Sequence, residues 1–122
     1  MAQLASLPDP NGEKIIQITD RIDMVKHIVT FKLTGSADER REVAQRFKSA
    51  LMALPQTIEM LKSIEVGINE NPAESWDVVL TAIVPTMADV ATYACHPAHV
   101  AAAGLLAGHK ADRACVDYEV AD

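Results

Sequence analysis

The chain has 122 residues, 49% hydrophobic and 23% charged, which fits one globular domain with a modest core. Its formal net charge of −6 argues against partners held by phosphate neutralisation, so neither nucleic acid nor an anionic membrane surface is expected. No apolar run approaches the roughly 18 residues of a membrane span. Cys95 and Cys115, with no CxxC, make no disulfide framework, and the first residues lack the pattern of a secretory signal, so a reducing, cytoplasmic setting is expected.

Residues 1–23 read as an N-terminal extension. The segment "LPDPNG" is turn or coil material. Ile15, Ile18 and Ile22 in "EKIIQITDRI" are spaced for a short helix that docks on the body, although a strand and a poorly ordered leader both stay open. The domain proper is expected over 24–122. "MVKHIVTFKL" (24–33) alternates with period two: Val25, His27, Val29, Phe31 and Leu33 share one face, Met24, Lys26, Ile28, Thr30 and Lys32 the other. That is a strand with His27 on its more apolar face.

Ser36 followed by Glu39 is a capping box, and Val43, Phe47, Leu51 and Leu54 recur at helical spacing, so a helix is predicted over 37–53, ended by Pro55. A second strand is predicted over 62–69 with Ile64, Val66 and Ile68 on one face. After the loop "ENPAES", the nearly continuous apolar run "WDVVLTAIV" (76–84) predicts a central strand.

Thr86 and Asp89 form another capping box, with Met87, Val90, Ala91 and Ala94 as an inward stripe. Pro97 is costly inside a helix and harmless at its first position. One short helix therefore ends near Cys95, and a second begins at Pro97 and stops by Gly108. "RACVDYEV" (113–120) alternates again and closes the chain as a strand.

The order β-α-β-β-α-β is the ferredoxin-like α+β plan, an antiparallel four-stranded sheet with helices on one face. The other face carries Met24, Ile28, Val79 and Ile83, which need cover. A second copy of the sheet is the natural cover, giving a homodimeric α+β barrel.

Four segments in order, "MVKHIVTFKL", "LPQTIEMLKSIEVG", "TYACHPAHV" and "VDYEV", make residues 24–120 resemble the stress-responsive dimeric α+β barrel (Dabb) domain family. The resemblance implies the same protomer and a homodimer joined through face-to-face sheets and the last strand. It also implies functions that vary, from stress proteins to a plant polyketide cyclase, olivetolic acid cyclase. Against that cyclase, the second histidine of "HPAH" is His99, the tyrosine six residues earlier is Tyr93, and the histidine of the first-strand "KH" is His27. Val78 and Phe47 stand where the cyclase has a histidine and a tyrosine, so its pocket is not reproduced in full.

The chemistry of these residues supports two readings. In one, the cleft between helices and sheet takes a small organic ligand, aromatic or a keto acid, with His27, Phe47, Trp76, Val78 and His96 around it. There His99 is a general base and Tyr93 an acid or oxyanion donor in a cofactor-free cyclase, isomerase or lyase. Free amides at the Pro97 helix start suit an anionic group.

In the other, the protein is non-catalytic, His96 caps the helix and His99 pins it to the sheet. No metal and no cofactor is expected, because His96 and His99 flank a proline and share no clean helical face. Cys95 is expected as a buried small hydrophobe and Tyr118 as a packing residue at the dimer seam.

Overall fold

A computed structural model describes residues 23–121; the extension expected over 1–23 lies outside them except for Asp23, which already belongs to the first strand. The elements run β1 (Asp23–Leu33), α1 (Ala37–Met52), β2 (Ser63–Ile68), β3 (Val78–Val84), α2 (Met87–Cys95), α3 (Pro97–Ala103) and β4 (Lys110–Ala121). Single 3₁₀ turns at Leu54–Gln56 and Gly104–Leu106 follow α1 and α3. The four strands form one antiparallel sheet in the order β2-β3-β1-β4.

Local chemistry places the helix ends. Both capping boxes form: the Ser36 and Thr86 hydroxyls accept from the amides of Glu39 and Asp89, whose carboxylates accept from the capping residues' own amides. At "CHPAHV" the chain breaks as Pro97 requires. His96 is extended, at φ −64° and ψ 135°, and its Nδ1 accepts from the Ala98 amide at 3.0 Å.

β3 begins two residues later than predicted, at Val78. Asp77 just before it acts as a tie: its carboxylate accepts from the Leu33 amide at 2.7 Å and from Arg40 Nε at 3.1 Å, fastening the end of β1 and the start of α1 to β3. β4 begins three residues earlier than predicted. It leaves a turn at Gly108, whose φ of +79° favours glycine, and Lys110 already pairs with Leu33.

The core lies between α1 and the helix-facing side of β1, β2 and β3. Val25, Val29, Leu80, Ala82 and Val84 come up from the sheet, and Phe47, Leu51 and Ile58 close from above. Phe31 and Phe47 meet edge to face, with ring centroids 5.4 Å apart. The opposite face of the sheet carries apolar residues that are uncovered in a single chain: Val79, Val116 and Tyr118 are all exposed on it.

Leu51 is fully buried. Leu51→Ala is expected to cost about 2–5 kcal/mol of unfolding free energy, as cavities in packed cores do. Urea unfolding of the two proteins checks this, and a loss below ~1 kcal/mol would mean that α1 is not packed as described.

Candidate functional site

The strand pleat decides what surrounds His27. β4 pairs with β1 so that Arg113, Cys115, Asp117 and Glu119 stand opposite Phe31, Val29, His27 and Val25 on the helix-facing side. The apolar half of β4, Ala114, Val116, Tyr118 and Val120, faces the other way. A polar strip therefore lies under the helices along the β4 edge, and the chain does not pack down on it. A cavity of about 480 Å³ remains between β1, β4, α2 and α3.

His27 and His99 both line this cavity, with Cys115, Asp117, Lys110 and Arg113 from the β4 side and the apolar Phe47 and Leu106. Met87, Val90, Ala91 and Ala94 do point inward, as the stripe predicted. All four border the cavity; only Val90 also packs against the core, while Met87, Ala91 and Ala94 stay exposed.

His27 is only 7% exposed and needs a polar partner. Asp117 supplies it, with Nδ1 and Oδ1 2.5 Å apart. A carboxylate only accepts, so the proton lies on Nδ1. Cys115 Sγ is 3.5 Å from the same nitrogen. Burial, then the neighbouring Asp117 charge, push the Cys115 thiol up, so it stays protonated at neutral pH and is not a nucleophile by itself.

His99 is held differently. Its Nδ1 lies 3.0 Å from the Ala94 carbonyl oxygen. That oxygen can only accept, so Nδ1 carries the proton and the lone pair of the neutral ring is on Nε2. Nε2 makes no hydrogen bond among the described residues, and His99 lines the cavity. Burial lowers the His99 pKa below its ordinary 6.5, favouring the neutral ring.

Tyr93 is wedged between the two imidazoles, 4.5 Å from the His99 ring centroid and 5.8 Å from that of His27. It is fully buried, and its hydroxyl has no partner among the described residues. Burial pushes its pKa up to about 12, so the hydroxyl stays protonated near neutral pH and keeps a proton to donate.

The structure thus brings His27, His99 and Phe47 to the cavity, with Tyr93 just behind the histidine rings. It does not bring the other expected ligand residues there. Val78 is core. Trp76 lies by a shallow depression with Thr30, Gly67 and Val79 on the far side of the sheet, its ring under Lys32 Nζ at 4.8 Å. His96 caps α3, and its Nδ1 already occupies the Ala98 amide that an anion was expected to use.

Cys95 is exposed, not buried as expected, because it ends α2 on the outward side next to the break. Sequence reading missed Asp117, Cys115 and Arg113 as site residues. The available signal was the inverted strand "RACVDYEV", whose polar half has to face His27 if its apolar half faces a second sheet. A wider cleft of about 730 Å³ lies elsewhere, but the ion pair Arg40–Asp77 crosses its lining and it holds no histidine or cysteine.

The profile of the stress responsive A/B barrel domain family matches residues 25–120, and the chain belongs to that family. It is similar to a dimeric protein of unknown function with a ferredoxin-like fold from Bacteroides fragilis: 48% identity over 80% of this chain and 96% of that one, TM-score 0.77. A dimeric ferredoxin-like protein of unknown function from Thermobifida fusca shares 27% identity over 80% of this chain and 92% of that one, TM-score 0.67.

A hydroxynitrile lyase from Passiflora edulis has the same fold at 13% identity, covering 81% of this chain and 94% of that one, TM-score 0.66. No functionally curated protein matches. The dimeric relatives support a homodimer, and no helix among the described residues is long and apolar enough to cross a membrane.

The depressed His99 pKa has a sign that can be tested. The unfolded chain takes up the His99 proton near pH 6.5, before the folded chain does, so His99 makes stability fall as pH drops from about 7 through the folded pKa. His99→Gln is expected to flatten unfolding free energy against pH in that window. Denaturation series at several pH values check it, and an unchanged slope would place the His99 ring in water.

Proposed function

We propose that the cavity binds a small organic acid bearing a carbonyl and an acidic C–H, and that His99 moves the proton. The single observation that carries this is the orientation of His99: the Ala94 carbonyl fixes its tautomer, and the lone pair of Nε2 is left for the cavity. A neutral imidazole held this way is a general base near physiological pH.

Lys110 and Arg113 at the β4 side suit the carboxylate of the ligand. A volume of about 480 Å³ is within the usual size of small-molecule sites. The Tyr93 hydroxyl, protonated and without a partner among the described residues, lies behind the histidine rings and would donate to the oxygen that gains charge as the C–H is lost once ligand binding moves a ring aside.

The reaction class is that of a cyclase, isomerase or lyase in which proton transfer by His99 needs no bound group. The resemblance to the polyketide cyclase supports His99, Tyr93 and His27 as its residues. The lyase with this fold adds only that the architecture accommodates such chemistry.

The dimer is proposed to form through the uncovered sheet faces and the last strand. Val116, 61% exposed on β4, lies at the middle of that face, paired with Ile28. Val116→Glu is expected to convert a dimer to a monomer in light-scattering mass measurements. A variant that stays dimeric would move the interface to another surface.

The activity is tested with β-keto and aromatic acids, by thermal shift for binding and by exchange of the acidic C–H in deuterium oxide for proton transfer. Wild type is expected to bind and to exchange. His99→Gln should bind and lose exchange by roughly 100-fold or more, the usual weight of a general base. Tyr93→Phe should keep or gain stability and exchange more slowly. Binding without exchange in wild type would reduce the protein to a ligand carrier. Exchange that survives in His99→Gln would overturn the assignment of the base.

A further inference from the structure

We propose that His27, Cys115 and Asp117 form a binding site for a divalent late-transition-metal ion, with Zn(II) the ion their donor set fits best. One imidazole nitrogen, one sulfur and one carboxylate oxygen lie within 4.8 Å of one another. All three residues line the cavity.

Tetrahedral zinc with ordinary bond lengths sets its donors roughly 3.3–3.6 Å apart. Here Sγ is 3.5 Å from His27 Nδ1 and 3.8 Å from either Asp117 oxygen, so two edges of the tetrahedron are already near their bound length. The third edge, Nδ1 to Oδ1, is 2.5 Å because a proton now joins the two atoms. Ligation at Nδ1 needs the neutral tautomer with its proton on Nε2. An ion entering there therefore goes with a shift of that proton from Nδ1 to Nε2 through solvent and loss of the Cys115 thiol proton to solvent, and it opens the edge by roughly 1 Å, which a side-chain rotation supplies.

The backbone holds the set in place. Cys115 and Asp117 are two residues apart on β4 and point the same way, and His27 is the cross-strand partner of Asp117 on β1. Sulfur and imidazole donors select zinc-like ions over magnesium or calcium, which take oxygen ligands.

A thiolate and a carboxylate neutralise a divalent ion, so the assembled site buries no net charge. The raised thiol pKa is no obstacle, since the metal displaces the thiol proton, and Arg113 nearby favours the thiolate. Three protein donors leave the fourth position open to the cavity, where a water or a ligand oxygen can bind. The inference does not rest on the proton-transfer reading, because His99 and Tyr93 contribute no donor.

The test is a titration of the full chain, stripped with chelator and confirmed folded by circular dichroism, with Co(II) and then Zn(II). The expected result is one Co(II) per chain, a near-ultraviolet thiolate-to-cobalt charge-transfer band, the strong visible absorption of a four-coordinate ion, and loss of both on adding Zn(II). Cys115→Ser should abolish the charge-transfer band. Asp117→Asn should weaken Co(II) binding by roughly tenfold or more. His99→Gln should bind as wild type does, whatever it does to proton exchange.

Folded wild type that shows no saturable Co(II) binding overturns the site. So does a charge-transfer band that persists in Cys115→Ser and vanishes in Cys95→Ser. Because serine nearly matches cysteine in shape, the Cys115 variant decides the matter even if a His27 variant fails to fold.

Discussion

The pairing of β4 with β1 in one register is the constraint on which the rest depends. Period-two alternation forces all of Arg113, Cys115, Asp117 and Glu119 to one side once Asp117 sits opposite His27. A slip by one residue would put Val116 and Tyr118 beneath the helices and leave His27 without its carboxylate. The buried His27–Asp117 contact opposes that slip, because an unpaired buried imidazole and a lone carboxylate both lose their solvation without compensation.

Two features follow from that one register. The helix-facing side of β4 is too polar to be covered by close packing, so a cavity lies there instead of core. The outward side is correspondingly apolar, and Val116, Tyr118 and Val79 make a surface suited to a second sheet. The proposed ligand site and the proposed dimer face are thus opposite sides of the same strand.

The helix break plays the second part. Pro97 stops α2, His96 turns outward to cap α3, and the start of α3 carries His99 back over the cavity. The first histidine of "CHPAHV" therefore caps a helix, and the second lines the cavity with its Nε2 free of hydrogen bonds among the described residues. The carbonyl that fixes the tautomer of His99 belongs to Ala94, near the end of α2. Carbonyls at a helix end lack intrahelical partners, which frees this one to accept from a side chain.

The sequence alone determined the elements, their order, the face of each strand and the two capping boxes, because those follow from local spacing and from chemistry within a few residues. It marked His27, Tyr93 and His99 by type and position. Only the tertiary structure decided which of the marked residues meet. It sent Trp76 to the far side of the sheet and Val78 into the core, and it spent His96 on a cap. It also brought in Cys115 and Asp117, 88 and 90 residues away from His27 along the chain. Contacts of that span are set by strand register and by the competition between burying polar groups and pairing them, and neither is visible in a local pattern.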